Sequence, residues 1–385
     1  MAPDRHAGPP GGRPGGHPGS LAGSHPGPAK DKDGVPELRL IAWEVTSACN
    51  LACKHCRAEA QLEPSPGELS TQEALALIDT FPEAGSPIII FTGGEPLMRK
   101  DIFELVAHAK SKGLRCVIAP NGTLLTPEIA ARLKETGIER CSISIDGPDA
   151  ASHDDLRGVP GAFAASLRGV EYLKSAGMEF QINTTVTRDN LSLFKDIFHL
   201  AEKLGAAAWH IFLLVPTGRA AQLDAQVITA EEYENVLNWF YDFRKTTPMQ
   251  LKATCAPHYH RILRQRAKEE GIPVNFETFG LDAVSRGCLG GVGFCFISST
   301  GQVQPCGYLE LDCGQVRKTP FPEIWRKSPQ FLNLRTPKTY IGKCGVCEYE
   351  RVCGGCRARA HTMRGSYLEE EPLCRYTPRR AGHGA

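Results

Sequence analysis

Residues 38–56 read LRLIAWEVTSACNLACKHC. The first nine are mostly apolar, with aromatic and β-branched side chains, which predicts a buried strand. A loop carrying Cys49, Cys53 and Cys56 in C-x3-C-x2-C spacing follows at once. Three thiolates on one short loop can hold three irons of a cubane [4Fe–4S] cluster and leave the fourth iron open to a small molecule. Zinc is the other metal reading, although structural zinc prefers four ligands, commonly as paired C-x2-C units.

Beyond this loop the chain alternates. PIIIFTGG, LRCVIAPN, ERCSISIDG, MEFQINTTVT and AAAWHIFLLVP read as strands. Amphipathic stretches at 71–81, 101–112, 127–136, 162–176 and 190–204 read as helices, the first opened by a Ser70/Glu73 capping box. Short strands separated by such helices predict a parallel sheet with right-handed crossovers. Six β/α units fit between about 38 and 245, so the expected fold is α/β, a partial (β/α)6 TIM-type barrel. The Gly/Pro/His-rich stretch 1–35, with His6, His17 and His25, is expected to be a disordered, solvated tail. We expect the barrel over 36–245, a bridge over 246–279 and a second, metal-stapled domain over 280–385.

Loops that follow parallel strands gather at the C-terminal mouth of such a barrel, where its chemistry resides. Gly93-Gly94-Glu95-Pro96 follows the second strand. Its glycines permit close backbone approach to a ligand, and Glu95 can accept hydrogen bonds from an ammonium group. Ser144 and Asp146 end the fourth strand on one face, with an Asp-Gly turn as the plain alternative.

Composition narrows the functions available. The 385 residues carry 44 basic and 43 acidic side chains, a formal net charge of +1, which gives no support for a nucleic-acid partner. No apolar run reaches the ~18 residues of a membrane helix, and the start lacks a secretory h-region. A cytoplasmic enzyme with no membrane partner is expected. In that compartment fifteen cysteines point to metal rather than disulfides. Cys288, Cys295 and Cys306 precede Cys344-x2-Cys347-x5-Cys353-x2-Cys356, and Cys374 comes last. Eight thiolates are what two fully ligated [4Fe–4S] clusters need. Cys313 reads as a packed thiol, and Cys116, Cys141 and Cys255 stand outside the groups.

The cysteine loop after strand one, followed by GGEP after strand two, resembles the radical S-adenosylmethionine (SAM) superfamily. That resemblance implies an open cluster iron that chelates SAM and, once reduced, cleaves it to a 5′-deoxyadenosyl radical. It implies that Gly93–Pro96 grip the SAM amino group, and that Ser144, Asp146, Arg157, Asn183 and Thr185 reach its ribose or carboxylate or line its pocket. His55 fills a slot where many members have Tyr or Phe and is assigned no catalytic part. The C-terminal cysteines resemble the SPASM extension, with Gly301 in place. That implies one auxiliary cluster on Cys288, Cys295, Cys306 and Cys356 and another on Cys344, Cys347, Cys353 and Cys374. The Cys353–Cys356 gap is one residue shorter than the common pattern.

IAWEVT before the cysteines, CRAEA at 56–60 and HIFLLVPTGR at 210–219 resemble the heme b synthases of the siroheme-dependent heme pathway. The resemblance covers about 36–380. It implies iron-coproporphyrin III as substrate, two propionates of which become vinyl groups, and a low-potential donor such as ferredoxin or flavodoxin. Arg219, just past strand six, is then the expected propionate clamp, and Tyr308 a residue near an auxiliary cluster. The alternatives are the relatives that act in heme d1 formation, a SPASM enzyme modifying peptides or proteins, and a non-enzymatic iron–sulfur or zinc scaffold.

Overall fold

The computed structural model describes residues 29–223, 226–336 and 339–379. His6, His17, His25 and residues 1–28 of the expected tail lie outside them. Ala29, Lys30, Lys32, Asp33 and Gly34 are exposed to solvent, while Asp31 and Val35 are half-buried. Lys30 bridges Pro36 in antiparallel fashion, Asp31 caps a turn by accepting from Val35 N, and Val35 lies against the core.

Seven strands follow in chain order: β1 Leu38–Glu44, β2 Gly85–Thr92, β3 Arg115–Ile118, β4 Cys141–Ser144, β5 Phe180–Val186, β6 Ala208–Leu213 and β7 Gln250–Thr254. Each pairs in parallel with the next. The helices between them are α1 Thr71–Thr80, α2 Ile102–Ser111, α3 Pro127–Glu135, α4 Ala150–Arg157, α5 Ala162–Ser175, α6 Phe194–Leu204 and α7 Ala230–Phe243. The Ser70/Glu73 capping box is present, and Thr229 with Glu232 makes a second one at α7. The expected parallel α/β barrel is therefore found, and it is larger than six units. The segment expected as a bridge supplies β7 and then α8 His258–Glu269. β8 Phe294–Ile297 adds a parallel strand on the other side of β1, followed by β9 Gln302–Gln304 and β10 Gly314–Gln315 in antiparallel pairing. The order β10-β9-β8-β1-β2-β3-β4-β5-β6-β7 has two free ends, so the barrel stays open.

Alternation along the strands sorts two faces. Ile41, Trp43, Ile89, Phe91, Ile118, Ile143, Ile182, Trp209 and Ile211 are buried against the helices. Trp209 packs against Phe194 and Phe198 of α6 and Phe240 of α7. The opposite side chains face inward and are reached by solvent. They are apolar on β1–β3 (Leu40, Ala42, Ile88, Ile90, Val117) and mostly polar on β4–β7 (Ser144, Asn183, Thr185, His210, Lys252), with Phe212 of β6 an apolar exception. An ordinary TIM barrel fills this space with a packed core. Here the inner-face side chains stay partly exposed, apolar along one wall of the lumen and mostly polar along the other.

Candidate active site

The cysteine loop is clamped at several points. Cys49 N donates to Gln61 O, Ala52 N to Arg157 O and Lys54 N to Leu156 O. Gly218 sits at φ 58, and a Cβ there would lie 2.2 Å from Arg57 O, so only glycine lets the loop after β6 dock on the cysteine loop. Arg219 follows. Its N donates to Cys56 O, its Nε to Cys53 O at 2.8 Å and its Nη1 to Ala60 O at 2.9 Å. The expected propionate clamp is therefore turned toward the cysteine loop. Its Nε and Nη1 are taken up by backbone carbonyls and hold the loop in shape, while Nη2 is buried with no hydrogen-bond partner among the described residues.

Cys49, Cys53 and Cys56 share a small apolar cluster with Leu51, Ala60 and Ala162. Burial pushes the Cys49 thiol up to about 11, and the Cys53 thiol up as well. Leu51 N donates to Cys49 Sγ at 3.4 Å, and Arg157 Nη1 reaches Cys53 Sγ at 3.7 Å. Thiols that ionise so reluctantly alone, yet have donors aimed at sulfur, suit an electropositive group that takes them as thiolates.

GGEP is built against the cysteine loop. A Cβ on Gly94 would lie 2.3 Å from Ala48 O, and the loop's amides donate to Thr46 O and Ala48 O. The glycines thus allow close approach to the cysteine-loop backbone itself. Glu95 is fully buried; its carboxylate accepts from Leu97 N at 3.0 Å and Asn121 N at 2.7 Å. Burial pushes its pKa up to about 7. Both oxygens already serve the loop, so Glu95 fixes the turn that carries Gly93, Gly94 and Pro96.

Asp146 is also fully buried, which corrects its expected place on the pocket wall. It accepts from Thr185 N at 2.7 Å, pairs with Arg157 at 2.7 Å and faces His55 Nε2 at 3.3 Å. Burial opposes its ionisation, but the Arg157 charge beside it prevails and its pKa is lowered. His55 is held neutral, its pKa pushed down to about 4 by burial. Asp146, Arg157 and His55 form one network that ends on the Cys53 sulfur. Ser144, Asn183 and Thr185 do lie on the inner face, with Ser144 in register with Asn183.

The C-terminal cysteines regroup. Cys295 lies in β8 opposite Ile41, so the pleat turns it into the core, where Cys313 is its sulfur neighbour. Cys255, the residue after β7, takes the place expected for Cys295. It lies close enough to Cys356, Cys306 and Cys288 for their charges to raise its pKa, after burial, the main cause. Cys255, Cys306 and Cys356 share one cluster with Val215, Leu309 and Tyr308. Cys255 holds φ 56, a strained left-handed conformation that non-glycine residues keep where surrounding structure imposes it. Tyr308 lies near Cys255, Cys306 and Cys56, between the two thiol groups. Cys344, Cys347, Cys353 and Cys374 line one small cavity. Gly355 N donates to Cys353 Sγ and Glu371 N to Cys344 Sγ, both at 3.4 Å. All fifteen cysteines are free of disulfides.

A buried ion pair within the C-terminal region positions the arginine that reaches across to the barrel. Arg359 and Glu371 are both fully buried and 3.3 Å apart. Arg359 Nη2 donates to Leu213 O, Leu214 O and Cys255 O, while Glu371 accepts from Cys356 N. The C-terminal domain is thus locked onto the mouth at the ends of β6 and β7.

A model of the radical SAM superfamily matches residues 43–201, and one of the SPASM iron-sulfur cluster-binding domain matches 288–356. An AdoMet-dependent heme synthase of Oleidesulfovibrio alaskensis is 74% identical over 91% of this chain and 90% of that protein. The chain belongs to the radical SAM family, with the AdoMet-dependent heme synthases. It is an enzyme family that binds SAM and iron–sulfur clusters. A pre-heme d1 synthase of Dinoroseobacter shibae is 29% identical over 93% of this chain and 91% of its own. The crystal structure of Streptococcus suis SuiB bound to precursor peptide SuiA superposes with a TM-score of 0.68 at 16% identity, covering 89% of this chain and 77% of that one. That likeness is one of fold. No helix among the described residues is long and apolar enough to cross a membrane.

Proposed function

We propose that the chain converts two propionates of iron-coproporphyrin III to vinyl groups by oxidative decarboxylation, yielding heme b. The observation that carries this reading is the lumen beneath the cysteine loop. It is apolar on one wall and, Phe212 apart, polar on the other, which suits a flat macrocycle with carboxylate arms. High identity to AdoMet-dependent heme synthases supports it, and favours it over the heme d1 and peptide alternatives.

Cys49, Cys53 and Cys56 would hold the SAM-binding [4Fe–4S] cluster. Cys255, Cys288, Cys306 and Cys356 would hold one auxiliary cluster, and Cys344, Cys347, Cys353 and Cys374 another. When bound and reduced, the first cluster and SAM supply a 5′-deoxyadenosyl radical. The chain's own residues set the geometry. Arg219, Gly158 and Gly218 hold the cysteine loop, and the Asp146–Arg157–His55 network backs Cys53. Each propionate loses a hydrogen atom from its β-carbon, then CO2 and one electron, and its two remaining carbons become the vinyl group. The electron needs an acceptor near the mouth, where the Cys255 quartet converges. A ferredoxin or flavodoxin would supply the low-potential electron for SAM cleavage. A cytoplasmic setting suits fifteen free thiols.

The test is anaerobic incubation of the reconstituted enzyme with SAM, reductant and iron-coproporphyrin III, followed by mass spectrometry. Two successive losses of CO2 plus two hydrogens, through a monovinyl intermediate, are expected. Deoxyadenosine accumulating while the bound porphyrin keeps its mass would contradict the reading. Loss of whole propionates from a siroheme-derived substrate would transfer it to heme d1 chemistry.

A further inference from the structure

His210 is the single histidine on the strands of the described sheet. Its neighbours Trp209 and Ile211 are buried against the helices, so the pleat turns His210 into the lumen. The other described histidines lie on loops or helices, among them His55 on Asp146, His108 and His199 on surface carboxylates, and His258 within α8. One ring nitrogen of His210 is engaged: Nδ1 lies 2.9 Å from the amide of Gln181, a buried side chain that also bonds Asn183 at 2.9 Å. That contact leaves Nε2 as the ring nitrogen open to a ligand. Lys252 stands beside His210 in register on β7. It is exposed to solvent on the edge strand, with the Asp282 carboxylate near enough to favour its charge.

We infer that His210 is the axial ligand to the substrate iron, through Nε2, and that Gln181 orients it. This rests on the functional reading above. A metal-bound imidazole characteristically gives its second ring N–H to an acceptor that fixes tautomer and ring angle. Gln181 can accept through Oε1 once the Gln181 and Asn183 amides are turned end for end, an exchange that leaves heavy-atom positions unchanged. Burial, with Lys252 and Arg140 nearby, pushes the His210 pKa down to about 3, so the ring is in the neutral form that binds metal. Phe212 lies two residues up β6, about 7 Å nearer the mouth at ordinary strand rise. Lys252, in register beside His210, offers a cation to a carboxylate arm.

The experiment compares iron-coproporphyrin III with metal-free coproporphyrin III on the reconstituted holoenzyme, by affinity and by Soret and resonance Raman spectra. The wild-type chain should bind the iron form more tightly and show a histidine-ligated spectrum. His210→Ala should keep its iron–sulfur absorbance but bind both porphyrins equally, with an iron spectrum free of histidine. Adding imidazole to His210→Gly should restore the ligated spectrum. Gln181→Leu should weaken the iron-dependent part by about tenfold. Equal wild-type affinity for the two porphyrins, or a histidine-ligated spectrum that survives in His210→Ala, overturns the ligation and leaves the reaction standing. Failure of the wild-type chain to bind iron-coproporphyrin III at all overturns the functional reading and the ligation together.

Discussion

Exchanging the parts expected of Cys255 and Cys295 gives a sharp prediction. Cys255 sits at the end of β7 in a left-handed conformation beside Cys288, Cys306 and Cys356. Cys295 is fully buried in β8, in register with Ile41. If three cubanes are held, the reconstituted chain carries about twelve irons, four for each cluster. Cys255→Ala should lower that toward about eight, because one quartet falls to three thiolates. Cys295→Ala should keep about twelve, since its sulfur belongs to no quartet. Its cost is one heavy atom removed from a tight core, on the order of 1 kcal/mol, as for other small buried truncations. The assays are iron and sulfide content and visible absorbance, with urea unfolding to measure the stability change. Iron loss in Cys295→Ala together with full iron in Cys255→Ala would refute the reasoning.

Arg219→Ala should lower deoxyadenosine formation as well as substrate turnover, because the residue braces the cysteine loop; a variant that lost turnover alone would return Arg219 to a clamp. Glu371→Gln leaves the Arg359 charge buried without its partner, and should cost about 3–5 kcal/mol in urea unfolding. A loss below about 1 kcal/mol would show that solvent reaches the pair. His153 is buried and its pKa is pushed down to about 4, mainly by burial. The unfolded chain binds the extra proton between about 6.5 and 4, so this contribution is complete above that window and lost as pH falls through it. His153→Gln should therefore flatten the fall in unfolding free energy across that window relative to the wild-type chain, and an unchanged slope would remove His153 as its source.

Much of this arrangement was legible in the chain itself. Apolar strands with period-two burial announced the parallel sheet, and the cysteine loop and GGEP fell where loops after strands must gather. What escaped depended on contacts between distant segments. β7 reads QLKAT, short and half polar, so its place at the sheet edge, and that of Cys255 after it, carried little signal. A lone cysteine behind a weak strand looks like a spare thiol until its fold neighbours are known. Cys295 did carry a local signal: FCFI alternates, and a pleat that sends both phenylalanines inward must send the cysteine to the core. Arg219, Asp146 and Glu95 had the right address. Their side chains brace the cysteine and GGEP loops instead of facing the lumen, a direction that residue type alone does not set.

Iron-coproporphyrin III deuterated at the propionate β-carbons tests the central claim most directly. The account predicts deuterium in the 5′-deoxyadenosine, with one deoxyadenosine formed for each vinyl group that appears. Unlabelled deoxyadenosine accompanying vinyl formation would contradict hydrogen abstraction at that carbon.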